Sequence, residues 1–264
     1  MPKIRIEYRN VTKRFPPRLR GGQGVTAIEN VSVSIEDGEV VALIGPSGCG
    51  KSTLLNMGSG LYLPSEGEVL VDGEKVNGPN PHVAFMLQKD LLLPWRTIQQ
   101  NAELGLEIRG VAAAERAARS RALLASCHLK GFENNYPHQL SGGMRQRAAL
   151  ARTLAVDPVV LLMDEPFSAL DAQTKMILQQ DLAQTLASEK KTALLITHDL
   201  VESIALADRV LVMSARPGRI IEEIRLDDLP PRQDPMSRRR AARIGDYASR
   251  LMELLHIGRH TEPA

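Results

Sequence analysis

The stretch Gly45-Pro46-Ser47-Gly48-Cys49-Gly50-Lys51-Ser52-Thr53 has the residue types and spacing of a loop that wraps a polyphosphate. Its glycines and small neighbours let successive backbone N–H groups curl around an anion. A helix opening near Gly50 adds the positive end of its dipole. Lys51 is placed to reach the β- and γ-phosphates, and the Ser52 hydroxyl to face the Mg²⁺ ion that bridges them.

Three further places carry side chains that could serve such a loop. Asp164-Glu165 follows the apolar run Val159 to Met163, and two carboxylates at the end of a buried strand need a cation or a chemical task. Adjacent residues on an extended chain point different ways, so Asp164 suits a metal's shell while Glu165 faces an attacking water. Gln88 ends the run Val83 to Leu87, and His198 follows Ala193 to Thr197. Ligands of open α/β sheets lie outside the carboxyl ends of strands, where both residues fall. His198 is equally readable as a structural histidine. Ser141-Gly142-Gly143, at a helix start, forms a second anion nest or an ordinary capped helix terminus.

The elements that position these residues follow from hydrophobic periodicity. Ile4 to Tyr8 and Ala27 to Ile35 alternate like half-buried strands, on either side of a loop through Pro16-Pro17 and Gly21 to Gly24. Val40 to Ile44 is a fully apolar strand that feeds the phosphate loop, and all three are expected in one sheet. The helix after Lys51 is expected to end near Gly58 to Gly60, because interior glycines are poor helix formers. Glu68 to Gly73 reads as a short strand and turn. From Ile98 to about Ala155 alanine replaces β-branched residues, the mark of a helical lobe inserted into the sheet. Val210 to Met213 and Ile220 to Ile224 form a closing hairpin, where the core is expected to end. Beyond Pro230-Pro231, Arg238 to Arg240 reads as a solvated basic face. Ile244, Tyr247, Leu251 and Leu254 then lie at amphipathic-helix spacing.

Composition excludes more than it assigns. Of 264 residues, 43% are hydrophobic and 24% charged, as in ordinary globular domains. The net charge of +2 gives no field that argues for nucleic acid. No charged-then-apolar leader is visible, and no window approaches the roughly eighteen apolar residues of a membrane span, so the chain is expected in the cytosol. Cys49 and Cys127 are the only cysteines, without disulfide or metal-ligand spacing.

Taken together, the loop at Gly45 to Thr53, Gln88, Leu140 to Arg147, Leu161 to Pro166, Ser168 to Asp171 and His198 stand in an order that resembles the ATP-binding cassette (ABC) family of transport ATPases. The resemblance spans roughly Ile4 to Ile224. It implies an α/β phosphate-loop core, a mixed sheet with flanking helices, over residues 1–225. Within it, 89–155 form the inserted helical subdomain, and 226–264 are a partly helical extension. It also implies ATP and Mg²⁺ as cofactors. Phe15, or Tyr8 slightly earlier, would stack on adenine. Lys51, Ser52 and Thr53 would hold phosphates and metal, Gln88 would lie near the metal and the attacking water, and Asp164 would bind Mg²⁺ through the ion's water shell. Glu165 would be the general base, and His198 would contact the γ-phosphate. Asp171 would sit in a loop crossing to a second subunit. Two cassettes in the family pair head to tail, with each ATP between one chain's phosphate loop and the other's Ser141, Gly142 and Gly143. Met144 departs from the family's usual glutamine.

A narrower resemblance, at Leu91-Leu92-Leu93-Pro94-Trp95 and Ser214 to Arg219, is to importers of nitrate, sulfonate, taurine and similar solutes. It implies a membrane permease docked near Leu91 to Trp95, an extracytoplasmic solute-binding protein acting through that permease, and a peripheral position on the cytoplasmic face of the inner membrane. The competing readings are a soluble cassette clamping nucleic acid or ribosomes, an exporter or lipid-transport cassette, and a phosphate-loop kinase. The kinase leaves the Leu140 to Arg147 segment without a task. The soluble clamp is disfavoured by a single set of motifs and no sustained heptads.

Overall fold

The computed structural model describes residues 3–17 and 24–255; the expected glycine loop at Gly21 to Gly24 therefore lies largely outside the described residues. The strands are β1 (Ile4–Phe15), β2 (Val25–Glu36), β3 (Val40–Ile44), β4 (Glu66–Val71), β5 (Glu74–Lys75), β6 (Val83–Met86), β7 (Val160–Asp164), β8 (Thr192–Ile196), β9 (Arg209–Met213) and β10 (Ile220–Arg225). The helices are α1 (Lys51–Gly58), α2 (Ile98–Ile108), α3 (Ala113–Ser126), α4 (Gly142–Ala155), α5 (Ala172–Ser188), α6 (Leu200–Leu206), α7 (Pro235–Arg240) and α8 (Ile244–Leu254).

These strands form two sheets, where the sequence led us to expect β1, β2 and β3 in one. β2-β1-β4-β5 are antiparallel, and β10-β9-β3-β8-β7-β6 form a second sheet in which only the edge strand β10 runs antiparallel. The difference lies in the burial pattern. β1 and β2 bury mainly one face, through Ile6, Tyr8 and Val11 and through Ile28, Val31, Val33 and Ile35. Every residue of β3, β7, β8 and β9 is buried, as a parallel sheet covered on both faces requires. α1 packs between the sheets, its Leu54, Leu55 and Met57 in one core with Ile6, Tyr8 and Leu162.

The opposite face of the parallel sheet is shared. Toward β7 and β8 it is covered by the helical lobe and α5, with Ile98, Leu124 and Ala148 packed in one cluster with Leu161, Met163 and Leu195. Toward β3 and β9 it is covered by α6 and the C-terminal segment: Leu226, Leu229 and Leu251 share a cluster with Ile44, Val210 and Val212. The core therefore continues past β10. The basic run after Pro231 is also not wholly solvated. Arg238 is buried, donating to the carbonyls of Pro230 (2.6 Å), Ile204 (3.1 Å) and Ala207, and so it closes the C-terminal end of α6. Arg239 donates to the Gln179 side chain.

Candidate functional site

The turn from β3 to α1 has its shape because glycine alone fits it. A Cβ on Gly45 would lie 2.8 Å from the Met213 carbonyl oxygen, and one on Gly50, at φ +112°, 2.8 Å from that of Ala27. Cys49 is buried behind the loop. Lys51 Nζ folds back over it, donating to the carbonyls of Gly45 (2.7 Å) and Pro46 (2.9 Å). Those bonds keep the ammonium over the loop, where an anion's oxygens would compete for it.

A cavity of about 1030 Å³ lies on this loop. Its floor is Ser47, Gly48 and Gly50 to Thr53; Gln88, Asp164 and Glu165 line one end, and Phe15, Val25 and Tyr62 the other. The expected phosphate, metal and base residues thus share one space. Gly45, Pro46 and Cys49 shape the loop from behind without lining the cavity.

At the carboxylate end, β7 delivers Asp164, which is 9% exposed. Burial raises its carboxyl above the ordinary aspartate range, opposed by a hydrogen bond from Ser52 and by the charge of Lys51, while the neighbouring Glu165 charge adds to the rise. The backbone turns at Glu165 into the left-handed region, φ +49°, which parts the two side chains. Glu165 Oε2 accepts a 2.9 Å bond from Gln88 Nε2, and His198 Nδ1 stands 3.4 Å from the same oxygen. A carboxylate from β7, an amide after β6 and an imidazole after β8 converge there, because the three parallel strands end at one edge. Tyr8, the alternative base platform, is corrected: it is 1% exposed and sits in the core between the sheets.

His198 touches Glu165 without lining the cavity, and Ser141, Gly142, Gly143 and Asp171 are also outside its lining. Ser141 caps α4, its hydroxyl accepting a 3.3 Å bond from Met144 N–H, with Gly142 and Gly143 in the first turn. Met144 packs against the core of the lobe, which gives an apolar residue a reason to stand there. Asp171 caps α5, accepting from Thr174 N–H at 3.0 Å; that backbone bond holds its carboxyl below the usual aspartate range.

Sequence reasoning missed three parts of the site. Tyr62 lines the cavity beside Phe15, and an exposed aromatic just beyond the Gly58 to Gly60 break was the available signal. Arg216, noted only within a hairpin turn, donates through Nε (3.1 Å) and Nη2 (2.7 Å) to the Gly48 carbonyl and so steadies the phosphate loop from outside. The segment after Gln88 is braced as well. Asn101 Nδ2 donates to the carbonyls of Leu93, Arg96 and Thr97, Arg152 to those of Asp90 and Leu91, and Arg145 Nε lies 3.0 Å from Asp90 Oδ2. These bonds present Trp95 to solvent, 71% exposed, while Leu92 fills the lobe's core.

Comparison with known proteins agrees with this geometry. Residues 28–168 match the family described as ABC transporter. An uncharacterized ABC transporter ATP-binding protein of Methanocaldococcus jannaschii is 43% identical over 96% of this chain and 92% of its own length. The taurine import ATP-binding protein TauB of Yersinia pestis is 43% identical over 78% of this chain and 80% of its own. Among solved structures, a dimeric post-hydrolysis ATP-binding cassette bound to ADP and Pi superposes with a TM-score of 0.76 at 34% identity, covering 84% of this chain and 98% of that one. A phosphate loop, paired carboxylates, a histidine and a capped Ser-Gly-Gly helix on this fold place the chain in the ABC transporter family, as an ATP-binding subunit that hydrolyses ATP.

Proposed function

We propose that the chain powers uptake of a small solute, of the nitrate, sulfonate or taurine kind, through a membrane permease that it binds from the cytoplasmic side. The observation that carries this reading is the braced segment directly after Gln88, which holds an exposed tryptophan a few residues from the hydrolytic edge. A rigid aromatic on a fixed turn is the kind of anchor that fills a partner's pocket. The relative named for taurine import favours the importer branch. Among the described residues no helix is long and apolar enough to cross a membrane, so the pore in this reading belongs to another chain.

In this mechanism the phosphate loop and Lys51 bind the triphosphate, Phe15 holds the base, and Glu165 takes the proton of the attacking water. Gln88 and His198 orient the Glu165 carboxylate through the contacts at its Oε2, and His198 also reaches the γ-phosphate. A buried Asp164 beside Ser52 suits a hard divalent cation, and Mg²⁺ bound there would neutralise charge on the phosphates. Among the described residues no three acidic, histidine or cysteine side chains gather as a metal cage, which fits an ion held largely by phosphates and water. Ser141, Gly142, Gly143 and Asp171 complete the site of a second copy, arranged head to tail as a homodimer, and dimeric cassettes of this fold support that arrangement.

The test is a pull-down of the Glu165→Gln chain with MgATP from gently solubilised native membranes. Recovery of a multi-spanning permease supports the reading. Recovery of ribosomal or DNA-bound proteins in its place overturns the importer assignment and leaves the ATPase standing.

A further inference from the structure

The base end of the cavity contains more than one aromatic. Phe15 ends β1, and the ring of Tyr62 meets it edge to face, with centroids 5.6 Å apart and planes at 77°. Lys13 Nζ lies over both, 5.3 Å from the Phe15 centroid and 5.6 Å from that of Tyr62. The same ammonium donates a 2.7 Å bond to the Leu63 carbonyl, which ties the segment after α1 to β1. The Tyr62 backbone is itself fixed: its N–H donates to the Asn56 carbonyl at 3.0 Å, and Asn56 Nδ2 donates to the Ser52 carbonyl at 2.7 Å. Gly60, at φ +78°, makes the reversal that brings Tyr62 back toward the cavity, and a Cβ there would lie 1.9 Å from the Gly78 carbonyl oxygen.

We propose that Tyr62 is a positioning residue for the nucleobase, holding the Phe15 ring in the orientation that stacks on adenine and linking that platform through Asn56 to the phosphate loop. An edge-to-face partner removes the rotamer freedom that Phe15 would otherwise lose on binding the base. The proposal rests on the reading of this cavity as the ATP site. It assigns Tyr62 no part in the chemistry, so its effect belongs to binding of the base and not to the phosphates.

The experiment is calorimetric titration of the full chain with MgATP and with magnesium tripolyphosphate, which carries the phosphates without a base, for the wild type, Tyr62→Leu, Phe15→Ala and the double variant. Tyr62→Leu is expected to weaken ATP about three- to tenfold while tripolyphosphate affinity stays at the wild-type value. Adding Tyr62→Leu to Phe15→Ala is expected to cost no further ATP affinity, because the platform it orients is gone. Unchanged ATP affinity in Tyr62→Leu overturns the proposal, as does an equal loss for both ligands, which would place the effect in the phosphate loop. Failure of the wild type to bind ATP more tightly than tripolyphosphate would instead remove the base site itself.

Discussion

Two helix N-termini in this chain have glycine-rich starts, and they differ in what surrounds them. The one at Lys51 opens into a walled cavity with carboxylates at one end and aromatics at the other. The one at Gly142 has a capping serine and two glycines, but no residue of its motif lines that cavity. The first has its partners in the same chain because β3, β6, β7 and β8 all end at one edge. The second belongs to the inserted lobe, apart from the lining of the cavity on its own chain's phosphate loop. In the proposed mechanism this second terminus completes the site of another copy, and that is its central claim.

The largest expected effect is at the complete site. Glu165→Gln keeps a side-chain oxygen that can accept from Gln88 but removes the base, so turnover should fall about 10²- to 10⁴-fold while MgATP still binds. Single-turnover and binding assays on the purified variant check this, and near-normal turnover would take Glu165 out of the role. At the incomplete site, Ser141→Ala should lower steady-state hydrolysis about ten- to a hundredfold, the value of a hydrogen bond to a charged group. ATP binding to dilute single chains should not change; a parallel loss of binding would mean that Ser141 serves its own chain's nucleotide.

Smaller effects separate both sites from the scaffold. Arg238→Met leaves the carbonyls of Pro230, Ile204 and Ala207 without their donor, and should cost about 2–3 kcal/mol of stability, read as a lower thermal midpoint with unaltered ATP affinity. Altered nucleotide binding in that variant would give the C-terminal segment a part in the site. Tyr8→Phe removes a buried hydroxyl that has no hydrogen-bond partner among the described residues and should change stability by no more than about 1 kcal/mol, toward greater stability. ATP affinity is expected to stay at the wild-type value, in contrast to Phe15→Ala.

Much of this was legible in the sequence because it depends on local spacing. The phosphate loop, the carboxylates after β7 and the residues after β6 and β8 could be read from apolar runs that end in polar side chains. The division into two sheets was not, since alternation tells which face of a strand is buried but not which strand lies beside it. Arg238 looked like one of several surface arginines; its burial follows from carbonyls at the end of α6 that are distant in sequence. Tyr62 and Arg216 escaped for the same reason. Each reaches the nucleotide cavity through a turn whose direction is set by contacts outside its own segment.

The most direct measurement mixes two impaired chains, Lys51→Ala and Ser141→Ala, and follows ATP hydrolysis as they exchange partners. In a head-to-tail pair of one of each, one site carries both defects and the other carries neither. Random pairing should therefore restore about a quarter of the wild-type rate. A mixture that stays at the average of the two separate variants would contradict the shared site, because it would mean that Lys51 and Ser141 act on the nucleotide within a single chain.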